Sequence, residues 1–212
     1  MDPHLLLFIF LPALIFESAF NCEWHIFRKL LGQVLILAGP MLIGSTVLSA
    51  VMLKYGLNYN TYTQDGEEKF PFSAALLYGA IISATDPVAV VALLKELGAP
   101  KQLSTLIEGE SLLNDGTAMV AFYILLDIVT GESPSYSDMF LKFFRLSGGG
   151  TLLGIITGII TTFFIHLIHN NFVLEINLTI VSCYIMFYIA EFTFVAVSGI
   201  LALVALGLFM SY

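Results

Sequence analysis

The chain has 212 residues and a formal net charge of −8; 58% of its residues are hydrophobic, 11% are charged, and the mean hydropathy is +0.92. This is more apolar surface than a soluble globule of that length can bury, which excludes a soluble enzyme or binding module and makes lipid the expected solvent. The sequence has no basic stripe of the kind that binds nucleic acid, and we expect no nucleic-acid partner.

Apolar stretches long enough to cross a bilayer recur along the chain. A hydrocarbon core about 30 Å thick needs roughly 20 apolar residues in a helix. Residues 1–212 are therefore predicted to form one all-α integral membrane domain, a multi-span helical bundle. The predicted spans are residues 5–20, 30–52, 72–94, 103–129, 148–168, 173–190 and 194–210. The two cysteines, Cys22 and Cys183, lie in or beside apolar sequence and are expected to be free thiols.

The third predicted span contains Thr85-Asp86-Pro87 near its middle. Pro87 removes a backbone donor and clashes with the carbonyl of Ser83, so the helix is predicted to be discontinuous at residues 85–87. Unwound backbone at membrane depth lines a cavity or packs on protein, and transporters use it to coordinate cations near the midplane. The alternative is a kinked structural helix in which Asp86 caps the second half.

The fourth predicted span carries four polar side chains, Glu110, Ser111, Asn114 and Asp115, along one side of a helix. Asp115 falls near mid-membrane, where an ionised side chain costs at least about 2.5 kcal/mol on insertion scales. Desolvation there favours the protonated acid, so one carboxylate can release a proton and take a cation in the physiological range. The alternative is a purely structural role, in which Asn114 and Asp115 belong to a hydrogen-bonded polar cluster that holds helices together.

Asn114 places an amide beside Asp115 where a second carboxylate would add charge. With one titrating acid, each cycle trades one proton for one monovalent cation. The pattern therefore predicts an electroneutral exchange of a proton for a monovalent cation, with no cofactor besides the transported ions.

Together these residues resemble the sodium/proton exchangers of the monovalent cation/proton antiporter superfamily, in particular the branch of plant and protist plasma-membrane salt exchangers. The resemblance lies in FLPALIFE at residues 10–17, ATDPVAV at 84–90, EGESLLNDGT at 108–117 and SGILA at 198–202. The two middle motifs together are highly specific, whereas the outer two are weaker alone.

The resemblance implies an inverted-repeat antiporter fold in which residues 85–87 belong to one of two unwound helices that cross at the ion site. Asp115 would be the ion-carrying acid, with Na⁺ bound at Asp115 and Thr85. Asn114 would match the asparagine of electroneutral members. Asp86 would also belong to the ion- and proton-binding group.

Three further residues are expected to support this site: Glu110, through a basic partner, together with Ser111 and Pro87. Family members have about a dozen spans, so the partner broken helix is expected outside these 212 residues and the chain is expected to be an incomplete exchanger. A homodimer is expected for the complete protein, and the plasma membrane is the expected location.

The predicted function is therefore secondary antiport of Na⁺ against H⁺ that regulates intracellular pH and sodium, with both ions competing for Asp115. A K⁺(Na⁺)/H⁺ exchanger and a non-transporting membrane sensor or scaffold are the alternatives. An intramembrane aspartyl protease using Asp86 and Asp115 is disfavoured, because neither acid lies in the glycine-rich context that such proteases use.

Overall fold

The computed structural model describes residues 3–56, 70–131, 135–168, 171–193 and 196–211, and within these ranges it contains helices and no strand. The α-helices are α1 (Pro3–Phe20), α2 (Trp24–Ile36), α3 (Leu42–Val51), α4 (Phe72–Ser83), α5 (Val88–Glu96), α6 (Lys101–Val129), α7 (Tyr136–Leu167), α8 (Phe172–Phe192) and α9 (Gly199–Met210). Two π-helical turns, Leu37–Met41 and Met52–Gly56, follow α2 and α3.

Five helical stretches among the described residues are long and apolar enough to cross a membrane. They are Trp24–Gly56, Phe72–Glu96, Lys101–Val129, Ser137–Leu167 and Phe172–Phe192, with shorter apolar helices at Phe8–Asn21 and Gly199–Met210. Large apolar side chains are exposed along the outside of the bundle, for example Leu152, Ile156 and Phe163 on α7. The predicted all-α integral membrane bundle is confirmed.

The second predicted span is one long helical stretch whose backbone changes pitch at Pro40. Proline cannot donate the helical hydrogen bond, and the turn Leu37–Met41 absorbs the defect by widening to a π-helix. The stretch starts at Trp24 rather than at residue 30, because the polar side chains at its start belong to the helix and not to the preceding loop.

α7 begins at Tyr136, well before the predicted start at residue 148. A capping box between Ser135 and Asp138 starts the helix, and Lys142 forms an ion pair with Asp127 of α6. The prediction took the charged stretch for a loop. Likewise, α8 ends at Phe192 and α9 begins at Gly199, whereas residues 190 and 194 were predicted; residue 194 lies outside the described part of the chain.

The helices form two groups, each around a central member. α6 contacts α2, α4 and α5 on one side, and α9 contacts α1, α7 and α8 on the other. α9 is almost completely buried, with Leu203 and Leu206 fully inaccessible. The groups meet where α6 packs against α1, α7 and α9, so the polar stripe of α6 lies inside the protein.

Glycines on α7 allow the close approach of α9. A Cβ atom added at Gly154 would lie 2.2 Å from the carbonyl oxygen of Ala202, and one at Gly158 would lie 2.6 Å from the ring of Phe209. Such close contacts are the usual role of a small-xxx-small pattern in lipid, where van der Waals packing rather than the hydrophobic effect joins helices.

Candidate functional site

The predicted discontinuity in the third span is present. α4 ends at Ser83, α5 begins at Val88, and residues 84–87 between them are not helical. Pro87 is the N-cap residue of α5, and Asp86, one position earlier, accepts a hydrogen bond through Oδ1 from the backbone N–H of Val88 at 3.2 Å. The backbone is therefore interrupted as predicted, and Asp86 bonds to the first turn of the helix that follows.

The polar stripe of α6 packs against the interrupted segment. The amide nitrogen of Asn114 donates to the Ser83 carbonyl at 3.3 Å, to Thr85 Oγ1 at 3.5 Å and to Glu110 Oε1 at 3.4 Å. Ser111 Oγ donates to the Thr85 carbonyl at 3.4 Å. Four of the predicted site residues thus form one hydrogen-bonded group across two spans.

The oxygen of the Asn114 side-chain amide, Oδ1, has no hydrogen-bond partner among the described residues. Asn114 is 3% exposed, and its Oδ1 is the one buried side-chain N or O atom without a hydrogen bond among the described residues. Rotating the amide by half a turn would place this oxygen against the acceptors that Nδ2 now serves, so the orientation is fixed by its surroundings. An orphaned buried acceptor of this kind calls for a donor or a cation.

Asp115 follows directly on α6 and is half-buried. No hydrogen bond or ion pair engages its carboxylate within the described residues, whereas Asp86 and Glu110 are both close enough to interact with it electrostatically. Neither of these two acids forms a salt bridge with a lysine or arginine in the described part of the chain. Glu110 accepts from Asn114, and the basic partner expected for Glu110 stays a prediction. The group is therefore a concentration of negative charge that attracts cations.

Two threonines that sequence reasoning missed hold other helices against this group. Thr117 Oγ1 lies 2.8 Å from the carbonyl of Ala38, in the π-helical turn around Pro40. Thr46 Oγ1 lies 3.1 Å from Ser83 Oγ, and Thr46 is buried. The Gly39-Pro40 pair was a usable signal for the first contact, but nothing in the sequence marked Thr46.

A half-helix pair whose unwound backbone meets the acidic stripe of a second span is the arrangement that secondary transporters use to bind ions near the membrane midplane. The chain belongs to the sodium/hydrogen exchanger family: the family model described as "Sodium/hydrogen exchanger, transmembrane" matches residues 1–212.

Individual relatives agree with this assignment. The chain is 42% identical over 209 residues to Sodium/hydrogen exchanger 7 of Arabidopsis thaliana, an alignment that covers 99% of this chain and 17% of the relative. It is 38% identical over 211 residues to Sodium/hydrogen exchanger 8 of the same plant, covering 100% of this chain and 27% of the relative. The chain is 39% identical over 214 residues to the Na⁺/H⁺ antiporter ApNhaP of Aphanothece halophytica, an alignment that covers 99% of this chain and 38% of the relative. The chain thus spans well under half the length of these relatives.

Proposed function

We propose that this chain contains the ion site of a secondary antiporter that exchanges Na⁺ for H⁺ and so regulates intracellular pH and sodium. One observation supports this most directly: the Asp115 carboxylate has no hydrogen bond or ion pair among the described residues, and the residue before it, Asn114, has a buried Oδ1 without a partner. The relatives named above are Na⁺/H⁺ exchangers and antiporters by their titles.

The exchange follows from the cost of moving an uncompensated charge through a membrane protein. Protonated Asp115 is neutral, and Asp115 with a bound Na⁺ is neutral as well, so either form can be transferred between the two sides. The empty carboxylate would have to be carried as an anion, which is expensive in a low-dielectric interior. Transport of one ion is therefore tied to return of the other, and the two compete for the same oxygens.

The remaining Na⁺ ligands are neutral oxygens. Thr85 offers a hydroxyl and a carbonyl in the unwound segment, and Asn114 offers Oδ1. Hard cations take oxygen ligands of this kind, as calcium and magnesium do. Ser111 holds the Thr85 carbonyl, and Pro87 keeps the segment from closing into a helix.

Exchange of one Na⁺ for one H⁺ is electroneutral, and the environment of the acids supports that stoichiometry. Asp86 accepts from the Val88 N–H and Glu110 accepts from the Asn114 amide, so both carboxylates have donors in the described structure. Asp115 is left as the acid available for titration. We propose that Asp86 and Glu110 support the site by attracting the cation.

We also propose the plasma membrane as the location and a homodimer as the complete assembly. Both proposals come from the resemblance to plant and protist salt exchangers.

Vesicles that contain the protein expressed from its complete gene provide the test. The vesicles are made acidic inside, and a pH-sensitive dye reports the gradient by quenching. Added Na⁺ should drive protons out and dequench the dye with the parent protein, and should fail to do so with Asp115→Asn. Asp127→Asn is the matched control on the same helix, because the new amide can still accept from Lys142; it should keep exchange.

Three results would contradict the proposal in different ways. No response of the parent to Na⁺, Li⁺ or K⁺ would remove the transport function and leave a sensor or scaffold. A response to K⁺ alone would make the protein a potassium exchanger. Full Na⁺ exchange in Asp115→Asn would keep the function but remove Asp115 from it.

A further inference from the structure

The motif SGILA at residues 198–202 begins a helix inside the bundle rather than at its surface. Ser198 is 1% exposed, and its N–H donates to the carbonyl of Leu146 on α7 at 3.2 Å. Its side chain accepts from the Leu201 N–H at 3.4 Å and so caps α9. The first turn of α9 is therefore fixed in the interior, and the ion site described above does not explain why.

Glu191, near the end of α8, joins this first turn to the site helix. Its Oε1 accepts from the backbone N–H of Gly199 at 3.0 Å, and its Oε2 accepts from the phenol of Tyr123 on α6 at 3.3 Å. A carboxylate at the N-terminus of a helix is stabilised by the helix dipole. The approach also requires glycine, because a Cβ at Gly199 would lie 2.9 Å from Oε1 and 2.8 Å from the ring of Phe187.

α9 touches the site helix at a second point, beside the ion-binding acid. A Cβ added at Gly116 would lie 2.4 Å from Cδ2 of Leu201, so Leu201 rests directly on the backbone of α6. Gly116 immediately follows Asp115. Gly116 and Tyr123 are seven residues apart and therefore lie on one face of α6, about two turns from each other.

We propose that Glu191 is a positioning residue of the ion site: by holding Gly199 and Tyr123 together it seats Leu201 against Gly116 and sets the position of Asp115. Two contacts on one face of α6 fix both the rotation and the height of that helix relative to α9. This inference rests on the proposed function, since it takes Asp115 to be the ion-binding acid.

Na⁺ titrations of exchange in vesicles, with the protein expressed from its complete gene, test the role of Glu191. Glu191→Ala should raise the half-saturating Na⁺ concentration about fivefold, within the range found for coupled neighbouring residues. Tyr123→Phe, which keeps the ring, should raise it by less. Both should keep the maximal rate per protein molecule. Glu191→Gln should behave like the parent, because its amide oxygen still accepts from Gly199 and its NH₂ can donate to Tyr123.

Glu175→Ala is the matched control, an acid on the same helix with no hydrogen bond or ion pair from its carboxylate to α6 or α9 in the described structure; it should leave the Na⁺ titration unchanged. A merely structural role for Glu191 would lower the amount of folded protein and the maximal rate without moving the half-saturating concentration. That result, or a Gln variant as impaired as the Ala variant, would overturn the inference.

Failure of the proposed function would look different. If the parent moves no protons in response to Na⁺, the exchanger assignment fails. The coupling between Tyr123 and Glu191 can then be measured separately by thermal unfolding of the two single variants and the double variant. Non-additive losses in melting temperature would support this coupling, and additive losses would overturn the inference whatever the transport result.

Discussion

The hydroxyl oxygens of Thr46 and Ser83 lie 3.1 Å apart and join α3 to the last turn of α4, directly before the interrupted segment. Each hydroxyl also contacts a carbonyl of its own helix, Leu42 for Thr46 and Ala80 for Ser83. The carbonyl of Ser83 in turn accepts from Asn114. The candidate site is therefore held in place by a chain of polar contacts that reaches beyond the proposed ion ligands.

Replacing Thr46 with valine should destabilise the protein through this contact. Thr46→Val keeps the shape of the side chain but removes the hydroxyl, and the loss of a buried hydrogen bond costs about 1 kcal/mol. Thermal unfolding in detergent measures the effect. Thr151→Val on α7 removes the same kind of bond, from an exposed hydroxyl to the carbonyl four residues earlier, and should cost less. Equal losses in the two variants would argue against a special role for Thr46.

Gly79→Ala should push α3 and α4 apart. The new Cβ would lie 2.5 Å from the carbonyl oxygen of Thr46, which is backbone and cannot rotate away. Overpacking of this kind costs about 1–3 kcal/mol, and the shift should also lower Na⁺-driven exchange. Gly44→Ala is the matched control on α3, where an added Cβ meets nothing within 4 Å. The packing explanation would fail if both variants expressed, melted and transported alike.

Asn114→Asp should impair exchange at alkaline pH more than at acidic pH. The amide nitrogen now donates to the Ser83 carbonyl and the Glu110 carboxylate, and an ionised aspartate would present an acceptor to both. Protonation at low pH restores one donor and relieves the repulsion. Na⁺-driven dye dequenching, compared with the parent at each pH, gives the profile. A variant-to-parent ratio that is flat with pH would show that the donor role of Asn114 is not needed.

The thiol of Cys22 should resist alkylation while the protein is folded. Burial raises the pKa of Cys22 to about 12, and the nearby carboxylates of Glu108 and Glu23 act in the same direction. Since the thiolate is the nucleophile, only about one molecule in ten thousand would be reactive at pH 8. Labelling with a maleimide should be slow below pH 9, rise as the pH approaches 12, and become rapid on unfolding.

An Asn21→Cys variant provides the comparison for that experiment, because Asn21 is exposed beside Cys22. The introduced thiol should label quickly at neutral pH. Labelling of Cys22 at the same rate in the native protein would mean that the junction between α1 and α2 opens readily.

The features that the sequence predicted best are those set by the covalent structure of a residue and by the spacing of residues along a helix. Proline at position 87 cannot support a regular helix wherever the chain lies, and the interruption is present. Ser111 and Asn114 reach the same segment, and Glu110 bonds to Asn114, because helical spacing places the three residues on one side. Cys22 and Cys183 are free thiols, as expected.

The features that were missed depend on tertiary partners. The predicted start of α7 is too late because a charged residue such as Lys142 is typical of a loop, whereas here it pairs with Asp127 on α6. Thr46 and Thr117 look in the sequence like ordinary helix residues that bond to their own backbone. Their contacts to Ser83 and Ala38 join residues 37 and 79 positions apart, and local periodicity carries no information about such pairs.

The hydrogen bonds that reach Thr85 from α6 are long, 3.5 Å to its hydroxyl and 3.4 Å to its carbonyl, and bonds of this length are weak. In the proposed exchange, an arriving sodium ion would shed part of its hydration shell, and oxygens that give up only weak bonds would replace that water at little cost. Weak contacts of this kind would favour rapid binding and rapid release over tight retention, which is what a carrier that unloads in every cycle requires.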